Sequence, residues 1–96
     1  MLHTLSCGPG HPAVKECIAL LRADDALLLL GDGVYIALQQ SQDWAAMQSS
    51  GASLHVLDAD ARVAGVHHRL APCFKVIDDD GFVSLTEKHS KQMAWY

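Results

Sequence analysis

A chain of 96 residues has room for one domain, and half of its residues are hydrophobic, more than so small an interior hides; part of that apolar surface is expected to be buried against another subunit. The net charge is −4, from 7 Lys and Arg against 11 Asp and Glu, and the basic residues stand singly at Lys15, Arg22, Arg62, Arg69, Lys75, Lys88 and Lys91. That scatter excludes the basic stripe that phosphate backbones attract, so direct binding of nucleic acid is not expected.

Residues 2–5 read as a first strand. Residues 6–12 are dense in Gly and Pro and read as a loop, and Pro12 suits the first turn of a helix, where its missing N–H costs nothing. A helix is expected over residues 13–22, with Val14, Cys17, Ile18 and Leu21 on one stripe. Residues 26–30 are all apolar and stop at Gly31-Asp32-Gly33, the pattern of a strand buried on both faces of a parallel sheet. Residues 34–40 and 44–48 read as helix, stopped by Gly51. Residues 54–57 read as a third strand, and Asp58 can cap a short helix that Gly65 closes. Residues 73–77 read as a fourth strand. Asp78-Asp79-Asp80-Gly81 reads as a turn, with Asp80 capping a final helix that carries Phe82, Val83 and Leu85. Four strands interleaved with helices build right-handed βαβ units and one open parallel sheet.

Four groups of residues could carry chemistry. Gly8-Pro9-Gly10-His11-Pro12-Ala13 has the outline of a dinucleotide fingerprint, with Asp32 at the end of the next strand. That motif aims backbone N–H groups at a pyrophosphate, and Pro9 and Pro12 have none. The three cysteines, Cys7, Cys17 and Cys73, are an odd number without a Cys-x-x-Cys pair, which argues against a disulfide framework and the usual zinc spacings. Cys7 lies between the first strand and a helix N-terminus, a position that can lower a thiol pKa. Cys17 shares the apolar stripe and reads as a small buried hydrophobe, and Cys73 reads as core. His3, His11, His55, His67, His68 and His89 lack the i, i+4 spacing of a helical metal site, so neither metal nor cofactor is expected. Met93, Trp95 and Tyr96 form an apolar end, which suggests docking on the chain's own sheet or on a partner. No run of 18 apolar residues predicts a membrane span, and Met1–Leu5 lacks the basic segment and apolar core of a signal peptide, so a cytoplasmic location is expected.

Three blocks carry a resemblance. Met1-Leu2-His3-Thr4-Leu5, then Leu27-Leu28-Leu29-Leu30-Gly31-Asp32-Gly33-Val34, then residues 82–95 beginning Phe82-Val83-Ser84-Leu85 and ending Gln92-Met93-Ala94-Trp95, are together similar to the TusB/DsrH family of sulfurtransferase-complex subunits. The resemblance runs collinearly along the whole chain. It implies a flavodoxin-like parallel sheet with helices on both faces. It implies a heterohexamer with TusC-like and TusD-like subunits, a TusA-like sulfur donor and a TusE-like acceptor, serving 2-thiouridine formation at tRNA wobble positions. In that scheme the main persulfide-carrying cysteine belongs to the TusD-like chain. Family members from sulfur oxidisers carry a cysteine on the first helix, and Cys17 in Glu16-Cys17-Ile18 occupies the matching place, which makes it the candidate auxiliary persulfide carrier. The alternatives are a DsrEFH-type subunit of dissimilatory sulfur oxidation, a purely structural subunit with inert cysteines, and a nucleotide-binding module.

Overall fold

The run Ala26-Leu27-Leu28-Leu29 forms the middle strand of a sheet, with all four side chains buried. The computed structural model describes residues 1–95. It contains β1 (Leu2–Leu5), α1 (Pro12–Leu20), β2 (Ala26–Leu29), a 3-10 segment (Gly31–Ala37), α2 (Asp43–Ser49), β3 (Ser53–Leu57), α3 (Asp58–Val63), β4 (Lys75–Ile77), α4 (Asp79–Lys88) and β5 (Gln92–Trp95). All pairings are parallel, and the strand order is β4-β3-β2-β1-β5.

This order dictates the layers. The first three crossovers step in one direction, so right-handedness puts α1, α2 and α3 on one face. The last crossover runs back past the whole sheet and puts α4 on the other. Alternation along the strands then makes two cores. Leu5, Leu27, Leu29, Leu54 and Val56 pack beneath Val14 and Cys17 of α1, Met47 of α2 and Ala61 of α3. Leu2, Ala26, Leu28 and Leu57 pack against Phe82 and Leu85 of α4. Removing one fully buried leucine from such a core costs about 2–5 kcal/mol.

Four sequence expectations are corrected. The sheet has five strands, because the apolar end docks on its own sheet: Gln92–Trp95 pairs with Leu2–Leu5. Met93 and Trp95 therefore sit in an edge strand, while Tyr96 lies outside the described residues. Residues 34–40 do not form an α-helix; the chain winds as a tight 3-10 segment from Gly31 and leaves it at Leu38. The fourth strand starts at Lys75 instead of Cys73, since a turn with Phe74 N–H on Ala71 C=O (3.1 Å) drops Phe74 into the core. Asp78, not Asp80, caps α4, accepting from Gly81 N–H at 2.8 Å, so the expected turn is the helix's first turn. The expected helix stops hold at Gly51 and Gly65, both at positive φ (80° and 74°), where a side chain would be strained.

Candidate functional site

In an open α/β sheet, ligands gather at the carboxyl ends of the strands. Here that end is built by the loop after β1 and by the 3-10 segment after β2. Gly33 lies so close beneath the Leu5 carbonyl that a Cβ there would overlap it. Gly31 N–H donates to Asp60 Oδ2 at 2.7 Å, tying the segment to α3. A cleft of about 180 Å³ is lined by Gly31, Asp32, Tyr35, Asp60, Val63 and Ala64. A second, of about 300 Å³, is lined by Gly10, His11, Pro12, Val14, Lys15 and Asp43. Neither of these clefts is lined by a cysteine.

The helix N-terminus facing the second cleft has its amides engaged. Pro12 is the first helical residue, and Ala13 N–H donates to His11 Nδ1 at 3.1 Å. A pyrophosphate would have to displace that cap.

The cysteines are mostly core. Cys7 is 7% exposed, so its place near a helix start does not make its thiol accessible. Cys17 is 0% exposed, packed in the α1–sheet core, and burial pushes its thiol up to about 12. At neutral pH a thiol with that value is ionised in only about one molecule in 10⁵, and the thiolate is the nucleophile. Cys73 is half-buried and also raised, again by burial. Among the described residues no three His, Cys, Asp or Glu side chains converge on a metal position.

Two histidines have environments that sequence spacing did not reveal. His3, almost fully buried on β1, points Nε2 at Asp25 Oδ2 (3.2 Å), and its Nδ1 accepts from Trp95 Nε1–H (3.2 Å). The acceptor role at Nδ1 places the ring proton of the neutral form on Nε2. Asp25 also accepts from the N-terminal ammonium (2.9 Å) and from Arg22 N–H (3.0 Å). This network ties β1, the turn after α1 and β5 together. It contains no nucleophile.

His55 on β3 is the opposite case. Both of its ring nitrogens are buried and lack a hydrogen-bond partner among the described residues. Burial first, then the positive charges of Lys75, His89 and Lys88, lowers its pKa below the ordinary histidine value. The unfolded chain therefore takes up a proton that the folded chain resists. Stability is full above about pH 6.5 and falls as pH drops through that value toward the folded one. His55→Leu, similar in volume and free of unsatisfied nitrogens, is expected to stabilise the chain by about 1 kcal/mol and to flatten this limb. Urea midpoints at pH 7.5 and 5.5 check it; a destabilised variant would mean that the ring has partners in solution.

Comparison with known proteins places the chain. The sequence pattern described as "DsrH like protein" matches residues 9–92. The chain belongs to the DsrH family. Relatives of this DsrH-family chain bear the name Protein TusB. One from Klebsiella pneumoniae is 36% identical over 95 residues, covering 99% of this chain and 100% of that protein. Another from Pectobacterium atrosepticum is 36% identical over the same coverage. The solution structure of protein Tm0979 from Thermotoga maritima superimposes with a TM-score of 0.68 at 24% identity, covering 95% of this chain and 97% of that one, a likeness of fold. As a DsrH-family member with full-length TusB relatives, this chain has the role of a sulfur-relay subunit. None of the helices among the described residues is long and apolar enough to cross a membrane.

Proposed function

We propose that this chain is a scaffold and regulatory subunit of a TusBCD-type complex supporting 2-thiouridine formation at tRNA wobble positions. The observation that carries the proposal is the end-to-end match to proteins called TusB, which spans 99% of this chain and 100% of theirs. The complex is a cytoplasmic heterohexamer with TusC-like and TusD-like subunits. It receives sulfur from a TusA-like donor and passes it to a TusE-like acceptor, without direct contact between this chain and nucleic acid. The chemistry is persulfide exchange: an acceptor thiolate attacks the sulfane sulfur of the donor persulfide, a new S–S bond forms, and the donor cysteine leaves as thiolate. A side chain in that role must be exposed and ionised. The burial of Cys17 and Cys7 therefore supports assigning the carrier thiol to a partner.

For Cys17 to act as an auxiliary acceptor, α1 would have to part from the sheet. A second reading, a DsrEFH-type subunit of sulfur oxidation, is favoured by one observation, the cysteine in Glu16-Cys17-Ile18 on the first helix.

Intact-mass spectrometry of the co-purified complex after incubation with a persulfidated TusA-like donor tests the assignment. The expected result is one added sulfur on a partner and none on this chain. Added sulfur on this chain that disappears in Cys17→Ser would overturn the scaffold role and favour the second reading. The same burial predicts that a thiolate-selective reagent labels Cys17 about 1,000-fold more slowly in the native chain than in denaturant, in proportion to its thiolate fraction. Equal rates would show that α1 opens freely.

A further inference from the structure

The two edges of the sheet differ. β4 is three residues long, carries the exposed Lys75, and borders a cleft lined by Asp58 and Asp78. Short length and charge are the usual guards against strand addition. β5 at the other edge reads Gln92-Met93-Ala94-Trp95, with no charge and no proline, and its first three residues are exposed.

The hydrogen-bond ladder fixes which groups of β5 face outward. Leu2 N–H donates to Lys91 C=O (2.9 Å) and Ser6 N–H donates to Trp95 C=O (3.1 Å), so the odd-numbered residues aim their backbone groups at β1. Alternate residues of a strand aim theirs the opposite way. The N–H and C=O groups of Gln92 and Ala94 therefore point out of the sheet. On the face shared with His3, Met93 (38% exposed) joins Met1 and Leu20 around a groove of about 250 Å³.

We propose that this edge pairs with a second copy of itself, antiparallel, about a two-fold axis through Met93. The outward groups fit that operation. Gln92 would face Ala94 of the second copy and Ala94 its Gln92, each exchanging both backbone bonds, and the two Met93 residues would form the close pair between them. A two-fold interface must be self-complementary. A charged strand would repel its own image, and this one is neutral. The apolar rims of Met1, Leu20 and Met93 then lie on the same side of a continuous ten-stranded sheet. The inference rests on the edge geometry alone and does not depend on the sulfur-relay reading.

Three variants of the full chain test it. By equilibrium sedimentation at micromolar concentration, wild type is expected at about twice its 10.4 kDa mass. Ala94→Pro removes an N–H that β1 does not use, and proline is tolerated on the open side of an edge strand. It is expected to halve the sedimenting mass while leaving the circular dichroism spectrum unchanged. Met93→Cys is expected to form an intermolecular disulfide under mild oxidation, which wild type does not, because such a close pair has Cα atoms about 4.5 Å apart, within disulfide range. A monomeric wild type would overturn the pairing, as would a folded Ala94→Pro variant that stays dimeric. Should Ala94→Pro not fold, Met93→Cys decides. In the co-expressed complex, a Met93→Cys disulfide to itself supports the second copy, and one to a different subunit overturns it in favour of that subunit.

Discussion

Gly33→Ala is expected to remove a large share of the chain's stability and to lower its urea midpoint sharply. The added methyl would overlap the Leu5 carbonyl, a backbone atom of the central sheet that cannot swing aside. That carbonyl also accepts from Leu30 N–H at 3.2 Å, so moving it disturbs the ends of β1 and β2 together. Overpacking against backbone costs about 3 kcal/mol or more. A domain of this size has only about 5–15 kcal/mol in total. Gly8→Ala is the control, since its methyl would meet Asp32 Cβ at an ordinary 3.8 Å. Urea unfolding followed by circular dichroism reads both, and a Gly33→Ala midpoint equal to that of wild type would refute the close approach.

The second large effect is expected from Asp25→Asn. The buried carboxylate accepts three donors: the N-terminal ammonium, Arg22 N–H and His3 Nε2–H. An amide in its place turns an N–H₂ toward at least one of them and leaves the ammonium without its counter-charge. Breaking a fully buried pair from one side costs about 3–5 kcal/mol, but Met1 is 39% exposed and water screens its orphaned ammonium, so about 2 kcal/mol is expected. The same network sets an acid limb in the wild type. Burial pushes the Asp25 carboxyl up, but the hydrogen bonds from the ammonium, Arg22 and His3, with the ammonium's charge, outweigh it and hold the carboxyl below the ordinary value. At acid pH the unfolded chain then binds more protons at this site than the folded chain does. Stability from Asp25 is full above about pH 4 and is lost as pH falls through the folded value. Melting curves between pH 7 and 3 should show that loss in wild type and a smaller slope in Asp25→Asn; parallel slopes would remove the carboxylate from the account.

The sheet was legible where one residue type dominated. Ala26–Leu30 is unbroken apolar sequence, and that alone placed the central strand. Val14, Cys17, Ile18 and Leu21 at helical spacing likewise foretold that Cys17 would be core. β5 was missed because Gln92-Met93-Ala94-Trp95 has no alternation, and its partner β1 is about ninety residues away. Local pattern says nothing of such a pairing. Asp78, Asp79 and Asp80 are equally good caps by type, and only the phase at which Phe82 and Leu85 of α4 meet the sheet selects the first. The His3–Asp25 pair and the orphaned nitrogens of His55 depend on which strands are neighbours, so no spacing rule could have found them.

The return of α4 across the sheet also sets the order of events during synthesis. β1 through β4 can assemble outward as each leaves the ribosome, every new strand meeting the one made just before it. β1 must wait. Its far edge, carrying the wholly buried Leu2 and Leu5, finds its second neighbour only when residues 92–95 have been made. Contacts of such long sequence separation form slowly, and an uncovered strand edge is where nascent chains aggregate. The first strand translated is thus the last to be enclosed, and the yield of folded protein should depend more on the speed of that final closure than on the strength of any single core contact.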